Sequence, residues 1–185
     1  MSKKIQKESA KPRAAGKTAG PAVTKSEEPG ALAEGDKAPS FSLPQAGGGK
    51  VSLKDFAGRN LVLFFYPRAG TPGCTIEASD FSRLAKKFEA ANTALLGVSA
   101  DPVKAIETFQ QKNLLKIPLI TDEAHATLKA FGVWSKKSMY GKIFEGVVRS
   151  TFLIGQTGHI IKIWRKVKVE GHAEEVLAAA KAASK

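Results

Sequence analysis

Cys74 is the only cysteine among 185 residues, and three positions before it stands Thr71, whose hydroxyl can both donate and accept hydrogen bonds. The chemistry open to such a pair is that of an activated thiol, a thiolate that attacks an electrophile while the hydroxyl orients it. On residue type alone a lone cysteine is a small buried hydrophobe. Its placement argues the other way. Thr71-Pro72 reads as the N-cap and first position of a helix, which puts Cys74 in the first turn. Unpaired backbone N–H groups and the positive end of the helix dipole favour a thiolate there. Arg149 is a second candidate, because it opens the apolar run that ends at Ile154, where a cation without a task is uncommon. A solvated strand-end arginine is the plain alternative. Glu77, also in the first helical turn, suits the dipole and reads as a supporting residue.

The elements that must position these residues follow from periodicity. Leu61 to Tyr66 is a run of six apolar residues, too short for a free helix and suited to a buried strand, and Pro67 ends it. Phe81, Leu84, Ala85 and Phe88 then mark one face of the helix that begins at Pro72. Thr93–Ala100 reads as a second buried strand, followed by a helix that Asp101-Pro102 caps. Ile117–Thr121 is a short extended piece before a helix from about Glu123 to Phe131, where Asp122 is expected to cap. Lys136–Val147 is polar and glycine-punctuated and reads as a loop. Two hairpins are expected, one joining Phe41–Pro44 to Val51–Leu53 and one joining residues 149–154 to 159–164. Ala173, Val176, Leu177 and Ala180 give a final amphipathic helix, and Trp134 and Trp164 are expected at least half-buried. Strand–helix alternation followed by a hairpin implies an α/β fold, a central mixed sheet flanked by helices.

Composition narrows the function. The chain is 43% hydrophobic, enough for one core, with residues 34–185 as a single domain. No apolar run approaches the ~20 residues of a membrane span, and the N-terminus does not read as a secretory signal. One cysteine points to a reducing, cytoplasmic setting. The net charge of +12 is high, and residues 1–33 carry seven basic residues against three acidic ones. That segment is expected to be a disordered tail capable of weak, non-specific contact with nucleic acid. Gly-Gly-Gly-Lys50 is no phosphate loop, since Val51 stands where Ser or Thr is needed. His125, His159 and His172 lack metal-ligand spacing, so neither metal nor cofactor is expected.

Taken together, Pro67-Arg-Ala-Gly-Thr71-Pro-Gly-Cys74 closely resembles the active-site motif of peroxiredoxins, and its Thr-Pro-Gly-Cys-Thr form that of the bacterioferritin comigratory protein (PrxQ) subfamily. Phe131–Trp134, Met139–Lys142, Gly146–Ile154 and Val169–His172 are similar to that subfamily in the same order. The resemblance implies a thioredoxin-like fold and reduction of hydrogen peroxide and organic hydroperoxides. It implies that Cys74 is the peroxidatic thiolate, that Thr71 hydrogen-bonds peroxide and thiolate, that Arg149 holds the thiolate ionised and stabilises charge in the transition state, and that Pro67 shields the site from water. A monomer is expected. Many members carry a resolving cysteine five residues after the first, and here that position is Ser79. The chain is then either a natural one-cysteine enzyme reduced by thioredoxin, glutaredoxin or glutathione, or one in which Ser79 replaces a cysteine. A disulfide between two copies of Cys74 is the third option. The rival functions are a non-catalytic basic adaptor that binds nucleic acid through the tail, and a peroxide sensor.

Overall fold

The computed structural model describes residues 31–184. Its frame is a five-stranded mixed sheet. The strands and helices run β1 (Ser42–Pro44), β2 (Lys50–Ser52), β3 (Asn60–Phe65), α1 (Pro72–Ala90), β4 (Thr93–Ser99), α2 (Val103–Lys112), β5 (Leu119–Thr121), α3 (Ala126–Ala130), β6 (Trp134–Met139), β7 (Lys142–Val147), β8 (Ser150–Ile154), β9 (Ile160–Arg165) and α4 (His172–Ala183). The sheet order is β5-β4-β3-β8-β9. β3 pairs in parallel with β4 and antiparallel with β8, which places Phe65 opposite Ser150.

The unbroken apolar run of β3 is explained by its central place. Side chains alternate across a sheet, so a strand covered on both faces must be apolar at every position. Val62, Phe64 and Tyr66 enter one core with Phe81, Phe88, Ile106, Phe109 and Val176, from α1, α2 and α4. Leu61, Leu63 and Phe65 enter the other with Leu128 of α3, Phe131 at its C-cap, and Phe41 and Ile160. The β1–β2 turn leans on the open edge of β5, where the Ala46 amide donates to the Leu119 carbonyl. This is the thioredoxin-like α/β arrangement expected, with helices on both faces of a mixed sheet.

Three local expectations are corrected. The segment read as a loop, Lys136–Val147, is most of a hairpin: β6 and β7 pair antiparallel around Tyr140-Gly141, both at positive φ. Neither strand shows apolar alternation, because this two-stranded sheet stands apart from the main one and both its faces meet solvent over much of its length. Asp101 does not cap α2. The N-cap is Pro102, and the Asp101 carboxylate instead accepts from the Ala69 amide at 2.7 Å. The helix expected from Glu123 begins at Ala126, after His125 in the left-handed region, while Asp122 accepts from the Leu128 amide at 2.8 Å and so still serves the helix start. Trp134 and Trp164 are partly buried, as expected. Of the expected tail, residues 1–30 lie outside the described residues. At residue 32, Leu32 packs against the core and its carbonyl accepts from Arg165.

Candidate active site

Cys74 sits in the first turn of α1, two residues after Pro72 at N1, as the motif Thr-Pro-Gly-Cys dictates. The loop 67–71 leaves the end of β3 and is tied down at Ala69 by Asp101, across 32 residues of sequence. Thr71 is the N-cap in extended conformation, but its hydroxyl does not cap the helix. It donates to the Arg68 carbonyl at 3.0 Å, which leaves the oxygen lone pairs free to accept. The Thr71 carbonyl takes the Thr75 amide and hydroxyl, both at 2.9 Å. Pro67 is half-buried at the mouth of the loop.

Arg149 lies just before β8, and the β3–β8 pairing brings it to the Cys74 end of β3. Its Nη2 donates to Cys74 Sγ at 3.3 Å, while Nη1 donates to Glu77 Oε2. A Cβ at Gly73 would stand 3.2 Å from Nη2, so the glycine leaves room for the guanidinium over the first turn. Burial opposes the Arg149 cation, yet its attraction to Glu77 and Cys74 prevails and raises its pKa. Cys74 and Glu77 are each 1% exposed. For Glu77 the balance is reversed. Burial pushes its carboxyl up to about 7, and attraction to Arg149 offsets only part of that. Among the described residues neither Glu77 Oε1 nor the buried Tyr66 hydroxyl nearby, whose pKa burial raises, has a hydrogen-bond partner.

Three of the four expected residues therefore share one chain segment, and the fourth, Arg149, arrives through the sheet. Two further residues hold the site together, of which the sequence marked Glu77 as supporting and did not mark Asp101. Glu77, judged supporting on dipole grounds, is the buried ion-pair partner of Arg149. Asp101 fixes the loop from β4's far end, and no local pattern signals a contact of that range. His172 backs the site, buried, hydrogen-bonded to Thr151 Oγ1 at 2.8 Å and held neutral by burial with its pKa near 4. An open groove lies between the loop at Ala69-Gly70 and α2, lined also by Ala105, Thr108 and Phe109. The larger cavity, beside Leu61 and Gly155 at the other end of β3, contains none of the expected residues. Among the described residues no three His, Cys, Asp or Glu side chains converge as metal ligands.

A family model described as the AhpC/TSA family matches residues 34–163. Peroxiredoxin Bcp of Xanthomonas campestris is 46% identical over 150 residues, covering 80% of this chain and 94% of that protein. Peroxiredoxin Bcp of Escherichia coli is 39% identical over 146 residues, covering 79% and 94%. A solved Xanthomonas campestris bacterioferritin comigratory protein, described in terms of its alkyl peroxide reduction activity, superposes with a TM-score of 0.75 at 45% identity, over 78% of this chain and 92% of that one. The chain belongs to the AhpC/TSA family, among its Bcp, or PrxQ, peroxiredoxins. It is thus a thiol peroxidase by class, and its one cysteine sets it apart from members that carry a second.

Proposed function

We propose that this chain reduces hydrogen peroxide and organic hydroperoxides through Cys74 by a one-cysteine mechanism. The observation that carries the reading is the half-buried Arg149 guanidinium, shared between Cys74 Sγ and Glu77. A cation against the sulfur favours the thiolate, and only the thiolate is the nucleophile. The sulfur attacks one oxygen of the peroxide and the O–O bond breaks. Cys74 becomes a sulfenic acid, and the other oxygen leaves as hydroxide or alkoxide and takes a proton from water. Thr71, its donor already spent on Arg68, accepts from the peroxide O–H and aims the peroxide at the sulfur. Arg149 stabilises negative charge as it moves from sulfur to oxygen, and Pro67 keeps water from the sulfur.

The sulfenic acid must then be reduced from outside, since no second cysteine exists. One external thiol condenses with it, releasing water and leaving a mixed disulfide. A second thiol attacks that disulfide and frees Cys74 as thiolate. Thioredoxin, glutaredoxin or glutathione fits this role in a reducing cytoplasm. Intact mass after stoichiometric hydrogen peroxide, with and without dimedone, tests the reading. A dimedone adduct at Cys74, absent in Cys74→Ser, is expected; absence of oxidation in the wild type refutes it.

A further inference from the structure

A lysine approaches the same site from the β6–β7 hairpin. Lys137 is half-buried, and its Nζ donates to the carbonyl of Val147, two residues before Arg149. Its stem lies across Gly146, where an added Cβ would stand 3.8 and 3.9 Å from its Cδ and Cε. The hairpin register sets this, with Ser135 opposite Gly146 and Lys137 on the same face two residues on. Among the described residues no carboxylate pairs with Lys137, and Glu145 of the facing strand is engaged by the Trp134 indole. Two residues beyond that carbonyl stands Arg149, whose Nη2 donates to Cys74 Sγ, so the ammonium is fastened to the segment that delivers the guanidinium to the sulfur. Burial and repulsion by Arg149 together lower the Lys137 pKa, against the pull of the sulfur. The segment that ends at Arg149 thus holds a second, partly desolvated cation, for which no carboxylate is the partner among the described residues. A lysine that served only to anchor the hairpin would do better facing water or a carboxylate.

We propose that Lys137 is a second positioning cation of the peroxide site, clamped by the Val147 carbonyl so that its charge supports the Cys74 thiolate and the oxyanion that leaves during attack. The inference rests on the peroxidase reading and deepens it. Arg149 touches the sulfur; Lys137 acts from a greater distance through the local field. Arg149 donates to Cys74 and to Glu77, Tyr66 shares the core cluster of Cys74, and Lys137 is the charge that comes from the hairpin.

The test compares Lys137→Met, which keeps an apolar stem, with Lys137→Arg, which keeps the charge. Two quantities are read on the full chain: the second-order rate of Cys74 oxidation by hydrogen peroxide, and the ratio of iodoacetamide alkylation rates at pH 6 and pH 9. Lys137→Met is expected to slow oxidation about tenfold and to lower that ratio, and Lys137→Arg to restore both to within about threefold of wild type. If Lys137→Met oxidises within twofold of wild type with an unchanged ratio, the inference falls and the peroxidase reading stands. Equal losses in both variants, with a lowered melting temperature, would show that the hairpin anchor and not the charge matters, and would overturn it as well. A wild-type Cys74 that hydrogen peroxide does not oxidise would remove the peroxidase reading itself.

Discussion

Arg149 gives the most direct test of the site. Its Nη2 lies 3.3 Å from Cys74 Sγ, and the guanidinium side chain is 15% exposed. At an effective dielectric of about 20 the attraction between full charges at that separation is about 5 kcal/mol, before the cost of burying them. The net worth of a hydrogen bond to a charged group is about 1.5–3 kcal/mol. Loss of it from the transition state corresponds to a fall of about 10- to 150-fold in oxidation rate. Arg149→Ala alone is a poor instrument, because it strands Glu77, and breaking a buried pair costs about 3–5 kcal/mol of stability. Arg149→Met combined with Glu77→Gln removes both charges and leaves similar volume. The oxidation rate of Cys74 is followed by quenching with N-ethylmaleimide and weighing the protein, with melting temperature as the control for folding. A folded double variant that oxidises within threefold of wild type would refute the role given to Arg149.

Glu77→Gln alone reports on the buried carboxyl. Because its folded pKa is raised from 4.5 to about 7, the folded state holds a proton that the unfolded state releases in that interval. Wild-type stability should therefore fall relative to the variant as pH rises from 4.5 to 7, by about 3 kcal/mol; parallel stability curves would contradict this. His172 works in the opposite sense. Its pKa is lowered from 6.5 to about 4, so stability should fall as pH drops through that interval, by about 2 kcal/mol after allowing for solvent screening. His172→Gln should remove the slope, as urea unfolding at pH 4.5 and 7 will measure. Gly97→Ala places a Cβ 2.6 Å from Phe64 Cζ and 2.7 Å from Leu119 Cδ2 in the middle of the sheet. A loss of about 1–3 kcal/mol is expected, and an unchanged melting temperature would show that the core yields.

What could be read from the sequence was what is locally encoded. β3 and α1 declare themselves through an unbroken apolar run and a helical spacing, with Thr71-Pro72 between them, and these fix where Cys74 lies. Arg149 was visible as a cation out of character with its strand. The failures have a common cause. Asp101 has the composition of a cap, but its carboxylate is claimed by Ala69, which the chain brings near only after β3 and β4 pair. The β6–β7 hairpin carries lysines and serines on both faces because it is not half-buried in a core, so the alternation that announces strands is absent. Thr71 was placed correctly and its hydroxyl was not, since the choice between sulfur, helix amide and the Arg68 carbonyl is settled by a turn geometry that residue types do not encode.

The distance along the chain between Cys74 and Arg149 has a consequence for how the protein comes into being. The cysteine and its helix can form early, from neighbouring residues. The guanidinium reaches the sulfur only when β8 has inserted beside β3, a pairing of high contact order that closes late and slowly. A chain emerging from the ribosome displays its thiol long before it displays Arg149, and through that interval the thiol lacks the guanidinium that donates to it in the folded protein. If Arg149 arms the thiol as proposed, peroxide reactivity is withheld until the sheet is complete, and the appearance of fast oxidation during refolding becomes a clock for the docking of a single strand.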